Sequence, residues 1–342
     1  MENTILERIG TYLMEKRAAL GEWLSASPSD KKNVLLGPAK QEAVLDALGA
    51  LDEAIVKIES GELGVCKVCG DPVEDELLEV DYTADVCINH LSNEEISRLE
   101  DELELAKTVQ KALLPQEAPS IAGLDVAAYS RPAEILGGDY FDFIDFGADS
   151  HGLVIADVAG HGVSASLQMA SFQALTHAIV PTSASPAEVA KRIHGLFSHN
   201  IHFTTFVTLF IGAYHPATRK LTYCNAGHNP PFVFHPDRSQ GNSAIWLRPT
   251  GPAIGLVEVN EFGEHTLTLL PGDLLVLYTD GVIEAADPND DQFGTDRLVR
   301  VVERLHNSSP REVIWGIREA VEGFVVDRPL SDDITLVVCR IT

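Results

Sequence analysis

Aspartates recur at places where a predicted apolar strand begins or ends. The four segments are "GGDYFD" with Asp139, "LVIADVAGHG" with Asp157, "YTDGV" with Asp280, and "DDITLVV" with Asp332 and Asp333. A single Asp-Gly pair usually marks only a turn. Several carboxylates at the ends of core strands are costly unless cations compensate them, and Mg²⁺ or Mn²⁺ suits ligands that are all oxygen atoms. The four segments therefore predict a site for hard divalent cations.

A second group of residues has the spacing of a structural zinc site. Cys66 and Cys69 form one pair with two residues between them, and Cys87 and His90 form the other. Two short turns of this kind present four donors to a tetrahedral ion, and Gly70 can supply the turn of the first pair. The alternative is three buried thiols and an unrelated histidine. Because four protein ligands leave no open position, the predicted zinc ion serves folding and not catalysis.

A predicted helix at about residues 92–114 precedes most of the aspartates. It starts at a capping box formed by Ser92 and Glu95 and ends before Pro115. The apolar positions on one face are Leu99, Leu103, Ala106, Val109 and Leu113. Such a face favours packing on another helix, and we expect a homodimer through a coiled-coil seam.

From about residue 121 the sequence consists of short apolar strands, and helices are inserted among them in clusters. Helices and strands do not alternate regularly. We therefore expect an α+β fold in which antiparallel sheets pack on each other, and not a doubly wound parallel sheet. Such a fold has to bring the four aspartate segments to one place.

The composition of the whole chain excludes several classes of protein. The 342 residues carry a formal net charge of −26, which disfavours nucleic acid as a partner because phosphate has the same sign. No apolar run is long enough for a membrane span and the N-terminus lacks the order of a signal peptide, so we expect a cytoplasmic protein. Five cysteines without an export signal argue against disulfides, and Cys224 and Cys339 are expected in the core.

The aspartate segments and the motifs between them resemble the PPM-type metal-dependent serine/threonine phosphatases, specifically the SpoIIE/RsbU-like bacterial branch. The matching motifs, in family order, are "LLP" at 113–115, "GGDYFD" at 137–142, "DVAGHG" at 157–162, "NAGHNPP" at 225–231, "GPAIGL" at 251–256, "YTDGVIEA" at 278–285, "FGTDRL" at 293–298 and "DDITLVV" at 332–338. The resemblance covers about residues 105–342. It implies an α-β-β-α sandwich that hydrolyses phosphoserine or phosphothreonine with a water activated by two metal ions and without a protein nucleophile.

The resemblance also implies a role for each matched aspartate. Asp157 is expected to bridge both metal ions, and the Val158 carbonyl to add an oxygen. Asp139 and Asp280 are expected to hold one ion. Asp332 is expected to hold the other.

Four further polar residues in these motifs carry weaker expectations. Asp142 and Asp333 are expected behind the ligands or on the substrate side. His161 is expected to serve its loop and not to act as a general acid. For His228 a catalytic role and a structural role in a turn beside the site both stay open.

The cysteine segment resembles a different family, the zinc-finger module of the DksA/TraR proteins, over about residues 45–92. The shared pattern is a helix that ends in "KIESGELGVCKVCG", with His90 where that family usually has a fourth cysteine. Family members act on RNA polymerase through a helical hairpin with an acidic tip, which residues 1–60 do not match. The alternative hypothesis is an RNA-polymerase regulator with a noncatalytic phosphatase scaffold, and the complete set of aspartates argues against it.

These patterns divide the chain into four predicted parts. They are an N-terminal helical region at 1–60, a zinc finger at 61–91, a linker helix at 92–116 and a phosphatase domain at 117–342. The leading hypothesis is a phosphatase whose substrate is a phosphorylated partner-switching protein, expected to be a STAS-type anti-sigma-factor antagonist. The parts before the phosphatase domain are expected to regulate it.

Overall fold

The structure is a computed structural model. It describes residues 60–74, 77–78, 84–147, 149–160, 162–197, 206–236, 244–257, 261–326, 328 and 330–342, with scattered positions between 10 and 58. The chain forms two compact units, Met1–Asp101 and Glu102–Thr342. The four predicted domain boundaries stay predictions.

The first unit contains two small groups of buried apolar side chains. The described positions among residues 10–17 and 52–58 are helical, and buried Leu13 packs in one group with Ala54. Most of the predicted N-terminal helical region at 1–60 lies outside the described residues. The other group contains Cys66, Val73 and Cys87.

The predicted linker helix is α1, Asn93–Leu113. The predicted capping box is present, because Glu95 N donates to Ser92 Oγ at 3.2 Å and Ser92 N donates to Glu95 Oε2 at 2.8 Å. No residue of α1 is fully buried, and Val109 on the predicted apolar face is exposed.

The second unit is built on two antiparallel sheets of five strands each. One sheet has the order β1-β10-β9-β6-β7 and the other β2-β3-β4-β5-β8. The strands are β1 Leu124–Arg131, β2 Asp139–Phe146, β3 Ser150–Val158, β4 Val207–His215, β5 Lys220–Ala226, β6 Phe232–Phe234, β7 Ala244–Trp246, β8 His265–Thr268, β9 Leu274–Tyr278 and β10 Ile334–Ile341. β7 is three residues long and was not predicted from the sequence.

Helices cover the outer face of each sheet. They are α2 Gly162–Ile179, α3 Pro186–Phe197, α4 Asp280–Ile283, α5 Gly294–Arg304 and α6 Pro310–Val325, with 3₁₀ turns at Ile88–His90 and Val180–Thr182. Side chains of α2 and α3 share one core with β2–β5, and those of α4–α6 share another with β9 and β10. A third core lies between the sheets and contains Phe141, Ile155 and Leu277. The predicted α-β-β-α sandwich is confirmed.

The connections place four strand ends at the same edge of the sandwich. β2 starts there and β3 ends there, with Asp139 directly opposite Asp157 in the antiparallel register. In the other sheet β9 ends just before Asp280 and β10 starts just after Asp333. None of the described helices combines the length and apolarity needed to cross a bilayer.

Candidate active site

Asp139 and Asp157 face the space between the two sheets. Side chains alternate along a strand, and Phe141 and Ile155, two residues further into β2 and β3, pack in the core between the sheets. Asp139 is 6% exposed. The fold therefore brings together two carboxylates that are eighteen residues apart in the chain.

Thr279 ties Asp139 to the opposite sheet. Its hydroxyl donates to Asp139 Oδ2 at 2.8 Å and accepts a hydrogen bond from Thr335 N at 3.0 Å. Thr279 is fully buried and directly precedes Asp280. Sequence reasoning missed this residue, although its place in "YTDG" was visible.

Asp333 orders the turn that leads into β2. Its Oδ1 accepts from Ala133 N at 2.8 Å, and its Oδ2 accepts from Gly138 N at 2.7 Å. Asp332 Oδ1 accepts from Asp333 N at 2.8 Å, while the Asp332 side chain stays at the surface. The Asp333 carboxylate thus accepts hydrogen bonds from backbone N–H groups, and its role behind the ligands or on the substrate side stays a prediction.

The two glycines before Asp139 make close contacts that a side chain would prevent. A Cβ on Gly137 would lie 2.3 Å from Asp333 Oδ2, and a Cβ on Gly138 would lie 2.8 Å from the Val158 carbonyl oxygen. The glycine pair therefore lets Asp333 and the Val158 carbonyl approach the start of β2.

The carboxylates lie close enough to raise one another's pKa. Burial and then the charges of Asp280 and Asp332 raise the pKa of Asp157 to about 8. Burial and then Asp332 raise the pKa of Asp280 to about 6, and Glu284 contributes to both shifts. The pKa of Asp139 is well above its usual value because of burial and then the charge of Asp157.

The donor set fits hard divalent cations. Asp139, Asp157, Asp280 and Asp332 offer carboxylate oxygens, and the close approach of Gly138 brings the Val158 carbonyl to the same edge. Such oxygen-only donors suit Mg²⁺ and Mn²⁺. Glu284, which sequence reasoning did not single out, adds a further carboxylate directly after α4.

The remaining sequence-predicted residues lie elsewhere or outside the described residues. Asp142 points to the helix side of β2, where its Oδ2 lies 2.7 Å from both the Tyr140 hydroxyl and His177 Nε2. Its supporting role at the metal edge stays a prediction. Asp145, for which the sequence predicts a solvated strand position and no role at the site, lies at the other end of β2 and pairs with His151. His161 is outside the described residues.

The four predicted zinc ligands form a compact cluster. The ligand atoms of Cys66, Cys69, Cys87 and His90 all lie within 4.8 Å of one another. Cys69 Sγ and Cys87 Sγ are 3.8 Å apart, which equals the edge of about 3.8 Å expected for a tetrahedron with Zn–S bonds of about 2.3 Å. Gly70 N donates to Cys66 O at 2.8 Å, closing the predicted turn.

The chain is similar to known proteins along its second unit. The family model Stage II sporulation protein E (SpoIIE) matches residues 147–342. Phosphoserine phosphatase RsbU of Bacillus subtilis is 30% identical over 242 residues, which are 71% of this chain and 70% of RsbU. Phosphoserine phosphatase RsbP of the same organism is 32% identical over 190 residues, which are 54% of this chain and 45% of RsbP.

Solved structures share the fold. The SiaA-PP2C domain of Pseudomonas aeruginosa is 21% identical with a TM-score of 0.64, and the similarity covers 72% of this chain and 98% of that one. The RsbU and RsbW domains of Rv1364c from Mycobacterium tuberculosis are 25% identical with a TM-score of 0.55, covering 65% of this chain and 61% of that one.

Proposed function

Because this chain belongs to the SpoIIE family of PPM-type protein phosphatases, we propose that it hydrolyses phosphoserine or phosphothreonine on a regulatory partner protein. The family and the phosphatase class predicted from the sequence are confirmed. The substrate and the metal ions are part of the proposal.

The observation that carries the proposal is the convergence of carboxylates at one edge of the sandwich. Asp139 and Asp157 come from one sheet, Asp280 and Asp332 flank strands of the other, and the Thr279–Asp139 hydrogen bond joins the sheets. A purely structural edge would not gather carboxylates that raise one another's pKa.

Asp139, Asp157, Asp280, Asp332 and the Val158 carbonyl would hold two Mn²⁺ or Mg²⁺ ions. Such ions supply an activated water and neutralise charge on the phosphoryl group and the leaving oxygen. The chain's own part is to fix the ligands. Thr279 holds Asp139, and Asp333 holds the turn before it. Because water is the nucleophile, no cysteine or serine is needed for the reaction.

Hydrolysis of p-nitrophenyl phosphate by the purified chain tests the proposed chemistry. We expect hydrolysis that depends on added Mn²⁺ and is lost on chelation and in Asp157→Asn. Activity that is unchanged in Asp157→Asn would rule out the two-metal site. Inactivity of the wild type toward this substrate and toward phosphoserine peptides would favour the alternative scaffold that regulates RNA polymerase.

The proposed partner is a serine-phosphorylated STAS-type anti-sigma-factor antagonist. Similarity to two phosphoserine phosphatases supports phosphoserine as the chemical class of the substrate. Phosphoproteomics of a strain lacking the gene, compared with a strain carrying Asp157→Asn, should show the same small protein retained in its phosphorylated form. If the deletion strain and the Asp157→Asn strain retained different phosphoproteins, this assignment would be contradicted.

The proposal assigns separate tasks to the segments before the sandwich. Cys66, Cys69, Cys87 and His90 would hold a structural zinc ion, because four soft or borderline donors close a tetrahedral site. The partly exposed apolar face of α1 would form the seam of a homodimer. The cytoplasmic location and the absence of a nucleic-acid partner remain predictions of the sequence.

A further inference from the structure

His228 lies in the turn after β5. Its side chain is 2% exposed, and its backbone N–H donates to Asn225 Oδ1 at 2.8 Å. Asn225 is itself buried, and its Nδ2 donates to Leu247 O at 3.0 Å. The turn is therefore anchored to the fold and holds the imidazole in one place.

The imidazole of His228 contacts both sheets. Nδ1 lies 2.8 Å from Thr208 Oγ1, and Thr208 stands directly opposite Asp157 in the register of β3 and β4. The ring also lies beside the backbone of Tyr278, the last residue of β9 and two residues before Asp280, without a well-formed hydrogen bond to it. His228 thus connects β4, the neighbour of the strand that carries Asp157, with the end of β9, which leads to Asp280.

A histidine at this position has a cost that an apolar residue would avoid. Its Nε2 is buried and makes no hydrogen bond within the described part of the chain. An unsatisfied buried polar atom of this kind costs about 1–3 kcal/mol. Leucine would fill the space without that cost.

The charge of the His228 imidazole also suits a position near the proposed cations. Burial lowers the pKa of His228 to about 4, so the ring is neutral near pH 7. A neutral ring can connect the carboxylate-bearing strands without adding a positive charge beside cations. A lysine or arginine in the same position would repel them.

We propose that His228 is a positioning residue, which braces the Asp157 end of β3 and β4 against the end of β9 and thereby sets the affinity of the site for divalent cations. This inference rests on the proposed function for the presence of the ions. The sequence left a catalytic role and a structural role in a turn open for His228. The proposed role differs from both, because His228 acts on the site through Thr208.

The test measures Mn²⁺ binding directly, by the electron paramagnetic resonance signal of free Mn²⁺ in titrations of the full chain. The variants are His228→Leu, His228→Asn and Thr208→Val, which removes the partner hydroxyl with little change in shape. His194→Leu is the matched control, because His194 is also a buried histidine, but it lies on α3 and accepts from Gly255 N at 3.2 Å.

We expect His228→Leu and Thr208→Val each to weaken Mn²⁺ binding about 10-fold, the usual loss when an outer-shell partner of a ligand is removed. The double variant that combines His228→Leu with Thr208→Val should bind Mn²⁺ no more weakly than the weaker-binding single variant, since the two residues act as one unit. His228→Asn should recover most of the affinity, and the KM for p-nitrophenyl phosphate at saturating Mn²⁺ should not change in any variant. His194→Leu should lower the thermal midpoint without changing Mn²⁺ affinity.

Unchanged Mn²⁺ affinity in both His228→Leu and Thr208→Val would overturn the inference while leaving the proposed function intact. Equal weakening by His194→Leu would also overturn it, because the effect would then be general destabilisation. A wild type that binds Mn²⁺ but does not hydrolyse phosphate esters would refute the proposed function. The Mn²⁺ titrations of the variants would still test the positioning role of His228. A wild type that binds no Mn²⁺ would overturn both.

Discussion

The two ligand clusters of this chain are built in opposite ways. Cys66, Cys69, Cys87 and His90 lie within 25 residues on short turns, and only a few buried side chains surround them. The carboxylates from Asp139 to Asp332 come from strand ends almost 200 residues apart, and three hydrophobic cores hold those strands. We propose that the first cluster depends on a zinc ion for its structure, whereas the second is assembled by the fold.

This difference separates two uses of a metal ion. A segment with little core gains its folding free energy from the ion, so removal of the ion unfolds it. A sandwich with large cores tolerates repelling carboxylates at its edge, since burial elsewhere offsets their cost. The ions proposed for that edge therefore take part in the reaction and are not needed to fold the sandwich.

The largest effect should come from Asp157→Asn. Loss of metal-ion catalysis worth several kcal/mol lowers the rate constant about 100- to 1,000-fold. The thermal midpoint of the metal-free protein at pH 7.5 should not fall, because asparagine removes a carboxylate whose pKa is raised by burial and by its neighbours. Rate and midpoint are measured on the same preparations. A lower thermal midpoint with an unchanged rate constant in Asp157→Asn would show that Asp157 supports the fold and not the reaction.

Zinc removal should have a large effect confined to the cysteine segment. Cys87→Ser should lose the single zinc ion per chain, and residues 61–91 should become sensitive to protease, while the midpoint of the sandwich stays unchanged. Cys224→Ser is the matched control, because buried Cys224 lies in β5. It should keep the zinc and lower the sandwich midpoint. Full zinc content in Cys87→Ser would refute the four-ligand site.

A smaller effect is expected from Gly138→Ala. The new Cβ would lie 2.8 Å from the Val158 carbonyl oxygen and 3.3 Å from Ala165 Cβ, so backbone has to move at the carboxylate edge. Strain of this kind costs about 1–3 kcal/mol of stability, and Mn²⁺ affinity should fall with it. Gly195→Ala on α3, where no described atom outside its own helix lies within 4 Å of the new Cβ, should leave Mn²⁺ affinity unchanged. Equal Mn²⁺ affinity of Gly138→Ala and Gly195→Ala would show that the close approach at Gly138 is not required for metal binding.

The smallest expected effect is that of Thr279→Val. This change removes the hydrogen bond to Asp139 and should weaken Mn²⁺ binding about 10-fold or somewhat less. Thr176→Val, which removes a buried hydroxyl that donates to Phe172 O in α2, is the matched control for stability alone. Metal titrations of both variants decide the outcome, and an effect as large in Thr176→Val as in Thr279→Val would contradict a local role.

Sequence reasoning singled out the proposed ligands more readily than the residues that contact them. Asp139, Asp157 and Asp280 were visible because each stands where an apolar strand meets a glycine or a turn. Thr279 was not singled out, because a threonine directly after a β-strand is ordinary and its bond to Asp139 spans 140 residues. His228 was singled out, but its contact with Thr208 was not, because that contact depends on the register of β4 and on the path of a turn.

The fold was predictable where the pattern is strong and long. The short strands with clustered helices predicted packed antiparallel sheets, and the resemblance added the α-β-β-α order of layers. The capping box of α1 was predicted from the spacing of Ser92 and Glu95. β7, Ala244–Trp246, was missed because three residues carry too little periodicity to be recognised. The short helix α4 was missed because its first residue was interpreted only as a ligand in a turn. Glu284 directly after α4 was not singled out as a contributor to the carboxylate edge.

The most direct measurement of the central claim is anomalous scattering from crystals of the full chain grown with Mn²⁺. We predict two manganese peaks at the edge of the sandwich, bounded by Asp139, Asp157, Asp280 and Asp332. Manganese bound only elsewhere, or no manganese beside Asp157, would contradict the account.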